Sequence, residues 1–475
     1  PVVECTGMTS GIGAMSAPVQ PGRDVQGASP PVPDPHPVYR GRAWWRNAGG
    51  MATVVFIAFF GFNFVIPLLP LYAQLLGVTD VGQTALLGGV LFAIAPLLSA
   101  FSSPLWGIIA DRYGRKRMVQ RALAVSVVAY TLMAMATSIW HVVILRAAIG
   151  IFGGFYSMTL AYLVTVTPPS RASIAIALLQ GAQILGTIAG PVSAGFIADH
   201  YGLRASFFTG AAVVAVGFFS LLVLADDDRA IGAPGADPSP VKPELRLAPP
   251  SVGNVLNRTW HGARDGMRDL RLAIALPGFG SILGALFLTQ MVDRSYGPIL
   301  PLFVAHLGTP DNQVASFSGL VVSLGAAAMG VSAGLGGVVA SRWRVYPLLV
   351  ASLVAGFFLC APMALVETPM QFLVLRVLIG LFAGGTVTLI MSLANTRIPS
   401  ASKGTAFGVI SSATLLGTAI SPLITGALAG FDLRLVFGLN SLLYLIALLW
   451  VLRSPQVVAL IAAGTVASGP VDPTD

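Results

Sequence analysis

The chain has 475 residues, of which 55% are hydrophobic and only 10% are charged, and its formal net charge is +8. Soluble globular domains carry about 25% charged residues, so this composition excludes an ordinary soluble protein and indicates a membrane protein. The basic residues form no nucleic-acid readout motif. The two cysteines, Cys5 and Cys360, lie in the leader and in an apolar run, which disfavours a structural disulfide.

Residues 1–47 are predicted to be a disordered cytoplasmic leader, because residues 17–38 are rich in proline, glycine and polar side chains. The leader shows no apolar region followed by a cleavage site, so we expect no signal peptide. A membrane-spanning helix needs about 20 apolar residues, and twelve later segments meet that requirement. They lie at about 49–74, 84–110, 118–137, 140–166, 173–198, 205–225, 278–304, 313–340, 345–365, 369–396, 404–429 and 435–453.

Lysine and arginine concentrate on the side of the membrane that carries the loop around Asp111, where the positive-inside rule places the cytoplasm. We therefore expect a cell-membrane protein with both termini in the cytoplasm. Residues 226–277 are predicted to be a cytoplasmic linker and residues 454–475 a C-terminal tail. Within the linker, Val252–Leu276 mixes apolar residues with arginines, which indicates either an amphipathic helix on the membrane surface or a solvated helix of no special function.

An internal repeat divides the chain into two similar halves. Leu145-Arg-x-x-Ile-Gly150 returns at Leu375-Arg-x-x-Ile-Gly380, and Gly186-Thr-x-x-x-Pro191 returns at Gly417-Thr-x-x-x-Pro422. The repeat predicts an all-α membrane protein with twelve transmembrane helices around a central pathway. The helices form two six-helix bundles that a pseudo-two-fold axis relates, at 48–225 and 278–453.

A dense cluster of charges interrupts the apolar sequence at Gly107-Ile-Ile-Ala-Asp-Arg-Tyr-Gly-Arg-Lys-Arg117. Its spacing, with the twelve segments and the repeat, resembles the major facilitator superfamily of secondary transporters over about residues 45–455. The pattern Gly186-x-x-x-Gly190-Pro191-x-x-x-Gly195 is similar to a motif of the drug:proton antiporter branch. Local runs between Ser103 and Arg204 look most like bacterial multidrug exporters linked to fosfomycin and bile-salt resistance.

The resemblance implies that the charged loop latches the two halves together in the outward-open state, against the helix that starts near Gly404. Physically, the carboxylate of Asp111 can meet the positive N-terminal end of a neighbouring helix. The alternative is a plain basic anchor on the cytoplasmic side. The second copy has Ser341 in place of Asp111, so we expect one strong latch and one degenerate one. The predicted latch residues are Gly107, Asp111, Arg112, Gly114, Arg115, Lys116 and Arg117.

The glycines of the second motif permit close approach of helices, and its proline loosens the helical hydrogen-bond ladder. By resemblance, Gly186, Gly190, Pro191 and Gly195 form a seal or hinge of the exporter type. Ordinary packing of small residues is the alternative, since the pattern returns in the second half.

Charged side chains inside a membrane are costly, at about 2.5–3.5 kcal/mol or more each, so they indicate function. Arg146 matches an arginine that the resemblance implicates in proton transfer, and Arg376 is its repeat counterpart. Asp293 is the only carboxylate well inside an apolar segment, with Arg294 beside it. These four residues are predicted to couple transport to protons; the alternative is a structural ion pair between Asp293 and one of the arginines. Tetracycline-type members carry an acid in the first helix, where this chain has only Asn63.

Polar and aromatic residues on helices expected to face the central pathway are candidate substrate contacts, with helix packing as the alternative for each. They are Asn63, Tyr156, Gln180, Gln183, Gln290, Thr388, Ser392 and Asn395.

Together these patterns predict a monomeric secondary transporter that exports small amphipathic molecules in exchange for protons by alternating access. Its partners would be the small molecule, protons and the lipid bilayer, with no nucleic acid. The sequence contains no phosphate-binding loop, metal-ligand cluster or nucleophile constellation, so we expect no cofactor and no enzyme activity, with the proton gradient as energy source. A metabolite importer of the same fold is the first alternative, and a non-transporting membrane sensor or scaffold is the second.

Overall fold

The computed structural model describes residues 43–226, 279–340, 345–397 and 403–453, and the regular elements of these ranges are all helices. The first half of the chain forms α1 (Ala43–Val65), α2 (Leu69–Leu75), α3 (Val81–Tyr113), α4 (Arg115–Ala134), α5 (Ile139–Ile151), α6 (Phe155–Val166), α7 (Ala172–Tyr201) and α8 (Leu203–Leu224). The second half forms α9 (Phe279–His306), α10 (Val314–Ala340), α11 (Val345–Cys360), α12 (Pro369–Ala383), α13 (Thr386–Arg397), α14 (Lys403–Ala429) and α15 (Leu435–Arg453).

Apolar length makes most of these helices membrane spans. In the described ranges, 10 stretches are long and apolar enough to cross a bilayer. The two predicted segments outside that set are α4, which carries a basic run at 115–117 and Arg121, and α9, which carries Asp293 and Arg294. These helices are 20 and 28 residues long and pack within the bundles, so the fold is the predicted twelve-helix, two-bundle architecture.

Three spans that were predicted as continuous helices are interrupted. The first passes from α1 through a 3₁₀ turn into α2, because Pro67 and Pro70 lack the N–H that an unbroken helix would use. The fourth stops at Ile151 and restarts at Phe155, after Gly154 with a φ of +87°. The tenth is divided between α12 and α13 at 384–385, where two glycines follow each other. Hydropathy cannot resolve these breaks, because glycine and proline interrupt a helix without ending the apolar run.

Each half has its own apolar core. In the first half the rings of Tyr72 and Phe207 are 4.3 Å apart in a cluster of fully buried side chains. In the second half Phe303 and Phe437 are 4.6 Å apart in a separate cluster. Helix α1 packs on α7 and α8, and α9 packs on α14 and α15. Two cores make the halves separately packed bundles that meet along helix surfaces.

Several predictions concern residues outside the described ranges. They cover the leader before Ala43, the linker with its Val252–Leu276 segment, the C-terminal tail, Ser341, and the side chains of Asp111, Arg112 and Asn395. Residues 43–47, which were predicted as leader, are helical at the start of α1. There Arg46 and Asn47 donate hydrogen bonds to the carboxylate of Asp226, at 2.6 and 3.2 Å, which ties the start of α1 to the end of α8.

Candidate functional site

The two halves meet along two seams, each built on glycine and proline. In one seam α7 packs on α10, and a Cβ added at Gly319 would lie 2.1 Å from the carbonyl oxygen of Pro191. In the other, α3 packs on α14, and a Cβ added at Gly89 would lie 2.2 Å from the carbonyl oxygen of Pro422. Glycine is required where backbones approach this closely. Pro191 and Pro422 are repeat counterparts, so the seams are pseudo-symmetric.

The four predicted seal residues divide between two contacts. Gly186 and Gly190 pack on α1 within the first half, where an added Cβ would lie 2.7 Å from a backbone oxygen in each case. Pro191 and Gly195 face α10 of the second half, and a Cβ added at Gly195 would lie 2.2 Å from the carbonyl oxygen of Ala315. The structure therefore places Pro191 and Gly195 at the seam and Gly186 and Gly190 at a contact within the first half, and the action of the four residues as a hinge stays a prediction.

Asp199, in the last turn of α7, joins the two halves by hydrogen bonds. Its carboxylate accepts the backbone N–H of Ser316 at 2.6 Å and that of Ala315 at 3.2 Å. The first turn of a helix leaves such N–H groups without helical partners, and a carboxylate there also meets the positive end of the helix dipole. In the other seam Asp432 follows α14, but it accepts the N–H of Arg434 in its own loop at 2.8 Å.

The seam between α7 and α10 is closed at one end and open at the other. Its contacts run from Asp199 to Ile184, whose side chain would lie 3.4 Å from a Cβ added at Gly330. About one turn further, Cβ atoms added at Gly181 and Gly334 would meet nothing within 4 Å among the described residues outside their own helices. Among the described residues, the halves therefore touch at the end that carries Gly202 (the Gly202 end), and α7 and α10 make no such contact toward the end that carries Gly114 (the Gly114 end).

Helix α9 carries a polar patch close to its contact with the first half. A Cβ added at Gly297 would lie 2.4 Å from the Phe92 ring of α3, so this face of α9 meets the first half. Gln290, Asp293 and Arg294 precede Gly297 by one or two turns on the same side of the helix. Arg294 Nε lies 3.7 Å from Asp293 Oδ2, with side-chain exposures of 54% and 25%. The patch thus lies one to two turns from the contact between Gly297 and Phe92, and within the second half Asp293 is near Tyr444 of α15.

Of the other two predicted coupling residues, Arg146 lies within the first half, whereas Arg376 lies next to α9 and shares the neighbour Tyr444 with Asp293. Arg146 is 4% exposed and its Nε donates to the carbonyl oxygen of Leu91 at 3.0 Å. Arg376 lies over the ring of Tyr296, with 4.2 Å from the guanidinium carbon to the ring centroid. Of the alternatives left open for Asp293, the ion pair seen in the described ranges is the one with Arg294. A role of the four residues in proton coupling stays a prediction.

Three of the substrate candidates cluster near α6. The rings of Tyr156 and Phe59 are 5.9 Å apart, and the side chain of Gln180 lies close to the Tyr156 hydroxyl. Asn63 donates its amide to the carbonyl oxygen of Phe59 at 2.7 Å, and Gly190 packs against it, so Asn63 serves the contact between α1 and α7. Gln183 shares α7 with Gln180.

The remaining candidates lie in the second half. Gln290 belongs to the α9 patch, and its Cβ would lie 3.1 Å from one added at Gly417 of α14. Thr388 and Ser392 are half-buried on α13, four residues apart and therefore on one side of that helix. Contact of any of these residues with substrate stays a prediction.

Two of the described latch residues, Arg115 and Lys116, bond to the first half. Gly114 ends α3 with a φ of +95°, a conformation that glycine adopts without strain. Arg115 donates to the Ala161 carbonyl oxygen at 3.0 Å and to Thr165, and Lys116 donates to the carbonyl oxygen of Ala225. These bonds fix the loop on α6 and α8, and the contact of Asp111 with the second half stays a prediction.

Sequence reasoning missed Asp199, Arg121 and Trp106. Asp199 lies three residues before Gly202, the glycine that follows α7. A carboxylate in the last turn of a helix can reach the start of another helix. Arg121 lies within a predicted apolar segment, and its guanidinium carbon is 3.3 Å from the ring centroid of Trp106. An arginine inside an apolar run was the available signal for it.

Comparison with known proteins agrees with this architecture. The family model described as Major Facilitator Superfamily matches residues 51–280 and 282–467. "Multidrug resistance protein MdtG" of Klebsiella pneumoniae (strain 342) is 32% identical over 396 residues, which cover 83% of this chain and 90% of the relative. The protein of the same name from Rahnella sp. (strain Y9602) is 31% identical over 420 residues, covering 88% and 94%.

Solved structures with the same fold are much less similar in sequence. A bacterial homologue of the human lysosomal transporter Spinster, in an inward-facing and occupied conformation, has a TM-score of 0.67 at 12% identity, covering 88% of this chain and 98% of that one. The nucleoside transporter NupG has a TM-score of 0.64 at 15% identity, covering 86% and 99%. At these identities the likeness concerns the fold.

Proposed function

The chain belongs to the major facilitator superfamily and is a multi-pass membrane transporter rather than an enzyme, and from this premise we propose that it exports drug-like amphipathic molecules in exchange for protons. The Gly114 end and both termini would face the cytoplasm, and a monomer would perform the transport by alternating access. The shared name of the relatives, multidrug resistance protein, supports the substrate class.

The observation that carries the proposal is the polar patch on α9. Asp293 and Arg294 lie about one turn before Gly297, the residue at which α9 contacts Phe92 of the first half. Proton coupling requires a carboxylate that is accessible from one side of the membrane and then from the other as the protein alternates between conformations. Aromatic and amide side chains at Phe59, Tyr156 and Gln180 offer an apolar wall with few polar groups, which suits amphipathic ligands.

The test begins with the purified protein and a compound panel of ethidium, norfloxacin, tetracycline and fosfomycin. We expect at least one compound to release protons on binding and to be exported from proteoliposomes when a pH gradient is imposed. Asp293→Asn should abolish gradient-driven export while binding persists. Asp311→Asn, the same change at an exposed loop acid, is the matched control and should leave export unchanged.

Two results would count against the proposal. Unchanged export by Asp293→Asn would remove Asp293 from coupling. Gradient-driven accumulation in the opposite direction would favour the metabolite importer of the same fold, and ligand binding without any transport would favour a sensor.

A further inference from the structure

The break in the fourth span exposes backbone carbonyl groups inside the first half. Helix α5 stops at Ile151 and α6 starts at Phe155, so the carbonyls of Ile151, Phe152 and Gly153 lie where the ladder of helical hydrogen bonds is interrupted. Gly154, with its left-handed backbone, turns the chain into α6. Carbonyl groups at membrane depth need donors from elsewhere in the protein, because lipid supplies none.

Side chains of α3 and α4 supply those donors. Arg121 Nη2 donates to the carbonyl oxygens of Phe152 and Gly153, each at 3.1 Å, and Trp106 Nε1 donates to that of Ile151 at 2.7 Å. The Arg121 guanidinium also stacks on the Trp106 ring, at 3.3 Å from carbon to centroid. A planar cation that stacks on an indole while its donors bind carbonyls is held in one orientation.

The second half closes the equivalent break with different chemistry. At the repeat offset that relates Arg146 to Arg376, Arg121 corresponds to Ala351 and Trp106 to Gly336. In place of a cation, Ser352 and Thr386 share a hydroxyl hydrogen bond, and Thr386 donates to the Ala383 carbonyl oxygen at 2.6 Å. The charged clamp therefore belongs to the first half, which is also the half that keeps Asp111.

We propose that Trp106 and Arg121 form a clamp that sets the alignment of α5 and α6, and that Arg121 is a positioning residue for transport. Trp106 comes directly before Gly107 and Arg121 lies one turn after Arg117, so the two residues flank the predicted latch segment. The clamp joins that segment to α5, which carries Arg146, and to α6, which carries Tyr156. A movement of the latch segment is thereby transmitted to α5 and α6, and so to the central space, through the hydrogen bonds that Trp106 and Arg121 make to the backbone at the break.

The test measures hydrogen exchange of backbone amides in the full-length protein. Arg121→Gln removes the cation but keeps a donor amide, and we expect exchange at 152–158 to rise at least about tenfold, since hydrogen bonds to charged groups are the strong ones. Arg121→Lys keeps the charge without the planar fork and should raise exchange less. If Arg121→Gln fails to fold, Trp106→Phe provides the same measurement with one bond removed.

Two matched controls separate the clamp from general loosening. Ser352→Ala should raise exchange near 383–389 in the second half and leave 152–158 unchanged. Arg171→Gln removes an exposed charge from the first half, outside the latch segment and the clamp, and should change neither region.

Transport is the second readout, and this part rests on the proposed function. With the panel compound that the wild type exports fastest, Arg121→Gln should lower the turnover about tenfold with little change in KM, because it disturbs a conformational step rather than ligand contacts. Unchanged exchange at 152–158 would overturn the clamp, and raised exchange with unchanged turnover would overturn the positioning role. A wild type that exports none of the compounds would refute the proposed function and leave the exchange result standing.

Discussion

The two ends of the bundle are held together in opposite ways. At the Gly202 end the halves touch through glycine and proline backbones, and the carboxylate of Asp199 caps the start of α10 across the seam. At the Gly114 end two of the described basic residues of the loop, Arg115 and Lys116, bond to helices of their own half. The predicted latch acid, Asp111, belongs to this open end.

The comparison teaches that one kind of interaction serves both ends of the fold. A carboxylate at the end of one helix meets the N–H groups at the start of a helix in the other half. Asp199 makes this contact in the conformation described, and Asp111 is predicted to make it in the opposite one. Breaking the Asp199 contact should move the equilibrium between the two conformations in one direction, and breaking the Asp111 contact should move it in the other.

The largest effect is expected from Gly319→Ala. The added Cβ would lie 2.1 Å from the Pro191 carbonyl oxygen, a backbone atom that cannot move aside, so the Gly202 end should fail to close. We expect export to fall at least about tenfold and the distance between spin labels at Tyr201 and Asn312 to increase. The control is Gly334→Ala on the same helix, where the added Cβ has open space; a similar loss in both variants would contradict the prediction.

A smaller shift is expected from Asp199→Asn. The amide keeps the shape but loses the charge that two backbone N–H groups bind, which should cost about 1.5–3 kcal/mol of closure at the Gly202 end. The same pair of spin labels should report a larger open population. Asp432→Asn provides the control because Asp432 bonds within its own loop, and equal distance distributions for wild type and Asp199→Asn would refute the role.

Asp111→Asn should shift the population the other way, toward the conformation with an open Gly114 end. A single carboxylate at a helix terminus contributes about 0.3–2 kcal/mol, so the effect is expected to be smaller than that of Asp199→Asn. Spin labels at the Gly114 ends of α3 and α14 would measure it. In the double variant, the population with an open Gly114 end should lie between those of the two single variants. Shifts in the same direction for Asp199→Asn and Asp111→Asn would contradict opposing roles of the two acids.

The smallest effect is expected from Arg46→Gln. Arg46 pairs with Asp226 within the first half, with exposed side chains, so the loss should lower stability by at most about 1 kcal/mol. Thermal unfolding should change slightly, and inter-half distances should stay the same. A clear change in those distances would show that bonds within one half also set the balance between conformations.

Much of the fold could be predicted because hydropathy and repetition are local properties of the chain. The twelve segments, the duplication and the placement of Asp293 and Arg294 on either side of Gln290 all follow from residue type and helical spacing. The breaks at Gly154 and at 384–385 were not predicted, because a glycine in an apolar run is equally compatible with close packing, as at Gly150 against Ala95.

The sequence by itself determined the membrane class, the two-bundle fold and the family, since each depends on patterns that repeat along the chain. Only the tertiary structure decided which end of the seam is closed and which acid bridges the halves there. It also placed Arg146 within the first half and Arg376 over Tyr296 near Asp293, and it showed Arg121 bound to the carbonyls of a broken helix. The physical reason is that a carboxylate or guanidinium has many possible partners in the sequence. Which of them it binds depends on which helix ends the tertiary fold brings within hydrogen-bond distance.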